Sequence, residues 1–365
     1  LLGMIKAAGQ DFLERFRNGK WQEALVGLRD QWGRIFSNTY TRSHRMGELY
    51  EEELYAKVQD GHQAAQPRRM PDLLIKPQGH DGFSPRFSNW RRRAKVPILL
   101  LNTTSLNSGH NWHFTASWMG EPPGLLGAEV DSNERYRRLY YHQASTETLQ
   151  NYRLGYAVAA SACVPGLFEP LAIDGLYPDR TVCLVDGDVH DNQGVVSLLD
   201  EWCSLILCSD ASGQLKDEPK PSDKLLSVLL NSGDIQGARV RDTEYRDLKS
   251  REDSRALQGL FFIHLKKDPP IPLVDWLNCD DPTPKPKAVS TMAPYGIDID
   301  VQRQLAAIRT DLDSLTEVEA YALMLSSYLM TTQEFQELQR LHEKNGEPGT
   351  WGRLCTSPGC TGMSP

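Results

Sequence analysis

The run Ala159-Ala160-Ser161-Ala162-Cys163-Val164-Pro165-Gly166-Leu167-Phe168, followed by Leu184-Val185-Asp186-Gly187-Asp188-Val189-His190-Asp191-Asn192-Gln193-Gly194, decides how this chain is read. Its first half spells a small-residue helix that Pro165-Gly166 stops. Its second half spells a buried strand that delivers an aspartate into a loop. A carboxylate at the end of a buried strand stands where open α/β sheets place their ligands, outside the carboxyl ends of the strands. Gly187 is expected to let the chain turn sharply just after it.

Outward from this block, short apolar runs alternate with helical periodicity. Pro97 to Asn102 is a continuous apolar run of the kind a parallel sheet buries on both faces. Trp112 to Trp118 reads as a second strand, with Asn107-Ser108-Gly109 as the turn between them. Asn151 to Cys163 reads as helix, Thr181 to Val185 as strand, Leu205 to Cys208 as strand, Lys224 to Leu230 as the start of a helix, and Leu260 to Leu265 as strand. That alternation favours an α/β sheet covered on both faces. Upstream, Phe12, Leu13, Phe16, Leu25, Leu28, Trp32 and Phe36 recur at helical spacing, and Leu49 to Val58 could add another helical turn or two. From Lys266 to Gly296 the chain carries seven prolines and little periodicity. Ile299 to Leu312 and Val318 to Met330 are amphipathic helices, with Ser314-Leu315-Thr316-Glu317 as a capping box between them.

Bulk composition narrows the function classes. A net charge of −8 argues against nucleic acid as main partner, because neutralising a phosphate backbone needs a basic face. No apolar run approaches the roughly 18 to 20 residues that span a bilayer. The seven cysteines show no metal-finger spacing. Cys163, Cys183, Cys203 and Cys208 fall in apolar stretches that favour buried thiols, which points weakly to a reducing compartment. Cys355 and Cys360 sit in a polar tail, where a disulfide or a metal site is the alternative to free thiols.

The central block resembles patatin-like lipid acyl hydrolases. Members of that family carry a small-residue helix ending in Ser-Ala-x-x-Pro-Gly-x-Phe, then a strand and Asp-Gly-Gly or Asp-Gly-Ala, often continued as Tyr-Asp-Asn-x-Gly. Here these are Ser161 to Phe168, Asp186-Gly187-Asp188, and His190 to Gly194. Weaker echoes are Asn102 to Gly109, Ser209-Asp210-Ala211-Ser212-Gly213, and the helices around Ile297 to Thr331. The resemblance implies a three-layer α/β/α patatin-like sheet with a helical N-terminal excursion and a helical C-terminal extension. The division it implies is an α/β domain over 1–265, a Pro-rich connector over 266–296, helices over 297–345 and a tail of disordered composition over 346–365.

The resemblance also implies a mechanism. A serine attacks a lipid ester carbonyl, an aspartate takes its proton, and a Gly-rich loop stabilises the oxyanion, with no cofactor and no metal. Asp186 matches the base and Gly187 shapes its loop. To hold a proton near neutral pH, Asp186 must be partly desolvated. The implied partner is a lipid ester or phospholipid at a membrane surface, with no nucleic acid, and a cytoplasmic or peripheral-membrane location. One element is missing: no serine stands in a Gly-x-Ser-x-Gly turn. The nucleophile is therefore expected upstream of Leu1, and residues 1 to 365 alone are expected to be inactive. The competing reading is a non-catalytic family member that binds lipid or protein.

Asp188 departs from the family's small residue. Either it converges with Asp186, and like-charge repulsion raises one pKa, or it diverges as a surface or capping group. Asp186-x-Asp188-x-His190-Asp191 also resembles a metal phosphoesterase strand end, but no further ligand block accompanies it. His110 and His113 read as ordinary loop and strand histidines rather than ligands. Arg86, Trp90, Arg91, Arg92, Arg93 and Lys95 could meet lipid phosphates, or simply form a solvated lead-in to the strand at Pro97. Ser161 reads as a packing residue, not a nucleophile.

Overall fold

The computed structural model describes residues 40–63, 66–89, 92–122, 132–212, 217–267, 273–280, 291–308 and 315–344. The helical pattern over Phe12 to Phe36, the tail with Cys355 and Cys360, Ser314, Trp90 and Arg91 lie outside them. The chain divides into two compact units, Leu1–Cys203 with Leu215–Arg246, and Ser204–Gln214 with Asp247–Pro365. The division falls inside the segment read above as one domain over 1–265.

In the first unit, α1 (Arg42–Glu53) precedes a sheet of β1 (Leu101–Ser105), β2 (Asn111–Phe114), β3 (Trp118–Gly120), β4 (Leu139–Tyr140), β5 (Leu171–Tyr177) and β6 (Arg180–Asp186). Their order is β4-β3-β2-β1-β6-β5. Every pairing is antiparallel. The architecture is mixed α/β, but the parallel main sheet expected from the apolar runs is not what forms. The reason is local: β1–β2 and β5–β6 are hairpins, and short connections permit only antiparallel neighbours.

The strand at Pro97 also shifts. Ile98 and Leu99 remain 39% and 41% exposed, while burial falls on Thr103, Thr104 and Ser105. The two threonines are tolerated at the sheet centre because their side chains find partners. Thr103 Oγ1 donates to the Trp112 carbonyl at 3.1 Å and Thr104 Oγ1 to the Asp186 carbonyl at 2.9 Å. The strand expected over Trp112 to Trp118 is broken by Thr115, whose Oγ1 accepts from Ser117 N at 3.1 Å and Trp118 N at 3.0 Å. That turn starts β3.

One face of the sheet is covered where α2 (Leu154–Ser161) crosses α1. The crossing is backbone against backbone. A Cβ on Gly155 would lie 2.3 Å from the Gly47 carbonyl oxygen, and one on Gly47 would lie 2.7 Å from the Gly155 oxygen. Buried Glu51 locks the pair: its carboxylate accepts from Arg153 Nε at 3.0 and 3.1 Å and from Gly155 N at 3.2 Å. Beneath lie Trp112, Phe114, Met119, Leu171, Val182 and Leu184, all fully buried. After β6 come α3 (Asp188–Asp191) and α4 (Val195–Asp200).

The second unit pairs β7 (Leu205–Asp210) with β8 (Gly259–His264) in parallel, register Leu205↔Gly259 through Asp210↔His264. In sequence between them comes α5 (Leu225–Asp253), which continues the helix start read at Lys224 and belongs to the first unit as far as Arg246. Phe261, Ile263, Ala293, Tyr295 and Ile299 form this unit's core with Met330. Ala293 and Tyr295 are thus packed, although they fall in the Pro-rich segment. α6 (Ile299–Ala306) and α7 (Glu317–Lys344) follow. The cap of α7 sits two residues beyond the expected box: Thr316 Oγ1 accepts from Glu319 N at 3.2 Å, and Glu319 Oε2 accepts from Thr316 N at 2.7 Å. No helix among the described residues is long and apolar enough to cross a membrane.

Candidate functional site

Asp186 ends β6, paired with Thr103 of β1. Three hydrogen bonds, from the end of α2 and from β1, hold the backbone here. Its N–H donates to the Cys163 carbonyl at 3.1 Å, past the end of α2. Its carbonyl accepts from Thr104 Oγ1, and the following Gly187 N–H reaches the Ser161 carbonyl at 3.5 Å. Ser161 therefore contributes its main chain to the site. The carboxyl is half-buried, and Oδ1 accepts from Asp188 N at 2.9 Å. Burial raises its pKa from the ordinary value near 3.8 to about 6, aided by the charge of Asp188 and opposed by that hydrogen bond. A carboxyl so tuned can take up and release a proton near neutrality.

Gly187 has ordinary helical angles, φ −62° and ψ −27°. Here a glycine is required by space, not by a positive φ. A Cβ there would lie 2.6 Å from the Asn102 carbonyl oxygen.

The two carboxylates after Gly187, Asp188 and Asp191, do different work. Asp188 is exposed, and only its backbone hydrogen-bonds Asp186. Partial desolvation of the carboxyl, though the residue as a whole is exposed, raises its pKa; Arg241 of α5 lowers it and Asp234 raises it, so its charged neighbours are two helical turns apart on one face of that helix. Asp191 is buried and caps α4, its Oδ1 accepting from Val195 N at 3.2 Å and Oδ2 from Val196 N at 2.9 Å. That commits both oxygens of Asp191 to the helix start.

The histidines serve separate networks. His110 lies 3.2 Å through Nδ1 from Glu121 Oε2. Glu121 is itself buried and accepts from Ser108 Oγ at 2.5 Å, Tyr136 N at 3.1 Å and Arg135 Nε at 2.9 Å. His113 is buried on β2, with Nε2 2.9 Å from Ser197 Oγ. His190 is half-buried and its pKa is lowered, chiefly by burial. Among the described residues no group of three or more His, Cys, Asp and Glu is placed to hold a metal.

The remaining candidates are local. Arg92 Nε donates to the Ala94 carbonyl at 3.2 Å and Lys95 Nζ to the Asn89 carbonyl at 2.6 Å, which ties both cations to their own loop. Ser212 donates to Asp210 from its hydroxyl and, at 2.9 Å, its N–H, which closes a turn after β7. None of the described cysteines is in a disulfide. Burial pushes the Cys163 thiol up to about 11, with Asp186 adding to the rise, so it is an unreactive packing group.

Asn102, whose carbonyl lies against Gly187, and Ser197, which donates to Asn102 Oδ1, were not singled out as site residues by sequence reasoning. Asn102 has one signal, the polar run Asn102-Thr103-Thr104-Ser105 inside a strand, where buried polar groups are usually bonded; Ser197 has none. No family model matches this sequence, and no curated protein matches it significantly.

Proposed function

We propose that the chain carries the aspartate half of a serine-dependent lipid acyl ester hydrolase of the patatin-like, three-layer α/β/α kind. The observation that carries the reading is Asp186: a half-buried carboxyl with its pKa raised to about 6, at a strand end, on a loop held by main-chain bonds. In this reading Asp186 accepts the proton of a serine hydroxyl as that oxygen attacks the ester carbonyl. It returns the proton to the leaving alcohol, then repeats the exchange with water. Gly187 admits the Asn102 carbonyl behind the loop. The nucleophile is a serine that residues 1–365 do not supply in a Gly-x-Ser-x-Gly turn, so it belongs to a longer protein. The substrate is a phospholipid or neutral-lipid ester, with no metal or organic cofactor.

The missing serine turn specifically favours a second reading, a non-catalytic member that binds lipid or protein. Ester hydrolysis by the full-length protein separates the two. Asp186→Asn should lower kcat by about 100-fold or more, in the presence or absence of chelator. Unchanged hydrolysis in Asp186→Asn would sink the dyad, and no hydrolysis by the wild type would leave the binding reading.

A further inference from the structure

Behind the Asp186 loop three polar side chains form a closed hydrogen-bonded chain. Ser197 of α4 and His113 of β2 are each 1% exposed. Ser197 Oγ lies 2.6 Å from Asn102 Oδ1 and 2.9 Å from His113 Nε2, with Asn111 Nδ2 at 3.4 Å. A carboxamide oxygen can only accept, so the single hydroxyl proton goes to Asn102. The hydroxyl must then accept from its other neighbours, which makes His113 the Nε2–H tautomer. Burial holds the His113 pKa down at about 4, leaving the ring neutral at neutral pH.

The Ser197–His113 separation is that of a nucleophile and its base, but the chemistry runs the other way. The hydroxyl proton points to Asn102 rather than to the ring, and the oxygen is shut off from any substrate. What the chain does reach is the loop. With its side chain held by Ser197, Asn102 sets its carbonyl against Gly187, and its Nδ2 lies 3.2 Å from where a Cβ on Gly194 would be. Those two glycines bracket the segment that follows Asp186 and bears Asp188 and Asp191.

We propose that Ser197, oriented by neutral His113, is a positioning residue that fixes Asn102 as the floor of the Asp186 loop and so keeps the Asp186 carboxyl half-buried. Its catalytic meaning rests on reading Asp186 as the base; the positioning itself does not. The titratable groups facing Asp186 are Asp188, Tyr50 and Cys163, and the variants below alter none of them.

The test is a carboxyl titration of full-length protein labelled with 13C-aspartate, the Asp186 signal assigned by its loss in Asp186→Asn. Wild type should titrate near the value of about 6. Ser197→Ala and His113→Leu should each lower that midpoint by about 0.5 to 1 pH unit as the loop loosens and water enters. His113→Gln, which keeps an N–H donor close to the Nε2 position, should return it to the wild-type value. An unmoved midpoint in His113→Leu, or His113→Gln behaving like His113→Leu, would overturn the proposal, and the histidine pair decides it even if Ser197→Ala fails to fold. Labelling of Ser197 by a fluorophosphonate would overturn it too, in favour of a nucleophile. Hydrolysis surviving in Asp186→Asn would remove the base reading while leaving the midpoint result to stand by itself.

Discussion

The main-chain carbonyl of Asn102 occupies the space that any side chain on residue 187 would need, 2.6 Å from the place of its Cβ. Because Gly187 has helical angles, an alanine meets no torsional penalty there, only collision with backbone that cannot swing aside. Gly187→Ala should therefore push the loop off β1, cost about 1–3 kcal/mol, and abolish ester turnover while the second unit keeps its fold. Urea unfolding with an activity assay on the same preparation checks this. A fully stable and active Gly187→Ala would contradict the close packing.

Asp186 makes a signed prediction about pH. Its folded pKa of about 6 lies above the ordinary value near 3.8, so between those two pH values the folded protein holds a proton that the unfolded chain has released. The stability contributed by this carboxyl is full below about pH 4, falls as pH rises through about 6, and stays low above it. Asp186→Asn cannot ionise. After discounting for partial solvent screening, it should exceed wild type by about 1–2 kcal/mol near pH 8 and match it near pH 4. Chemical unfolding at the two pH values measures the difference; a wild type that is the more stable at high pH would reverse the assignment.

Elements marked by strong local chemistry were legible in the sequence. The helix ending before Pro165-Gly166, strand β6 and the two helices around Ile299 and Val318 all form. Sheet direction was not legible, because Ile98-Leu99-Leu100 has the same apolar spelling as a buried parallel strand. What decides is that the polar run after it is flanked by the hairpin strand bearing Trp112 on one side and by β6, with Asp186 82 positions away, on the other. For the same reason Asp186 could be read as a candidate from its neighbours, whereas Ser197 and Asn102 could not. Their contact spans 95 positions. A buried serine in an otherwise apolar helix carries no local mark.

Asp191 offers a contrast with Asp186 five residues earlier. Both carboxylate oxygens of Asp191 are spent on Val195 and Val196, so its removal strands two helix-end donors. Asp191→Ala should destabilise the first unit by about 1–3 kcal/mol, and Asp191→Asn, which retains one acceptor, by about half as much. On the proposed reading of Asp186 as a base, Asp191→Asn should keep most of the ester turnover of the full-length protein, the reverse of Asp186→Asn. Thermal unfolding and initial rates on the two asparagine variants check the pairing. Equal loss of activity in both would mean that the loop's integrity, rather than the Asp186 carboxyl, controls the rate.

The crossing of α1 and α2 sets where Ser161 and Cys163 present their carbonyls to the Asp186 loop, and it depends on two glycines. A methyl on Gly155 would fall 2.3 Å from the Gly47 oxygen and 2.7 Å from the Glu51 side chain. The helices must separate to admit it, which loosens the Arg153–Glu51 pair and opens the buried surface beneath. Gly155→Ala should cost about 2–3 kcal/mol despite alanine's better helix propensity, which returns at most about 1 kcal/mol. It should also lower the Asp186 pKa, because the α2 end that holds Asp186 N and Gly187 N moves with the helix. Urea midpoints and the carboxyl titration together test the coupling. A destabilised Gly155→Ala whose Asp186 still titrates near 6 would show that the loop is held from β1 and α4 alone.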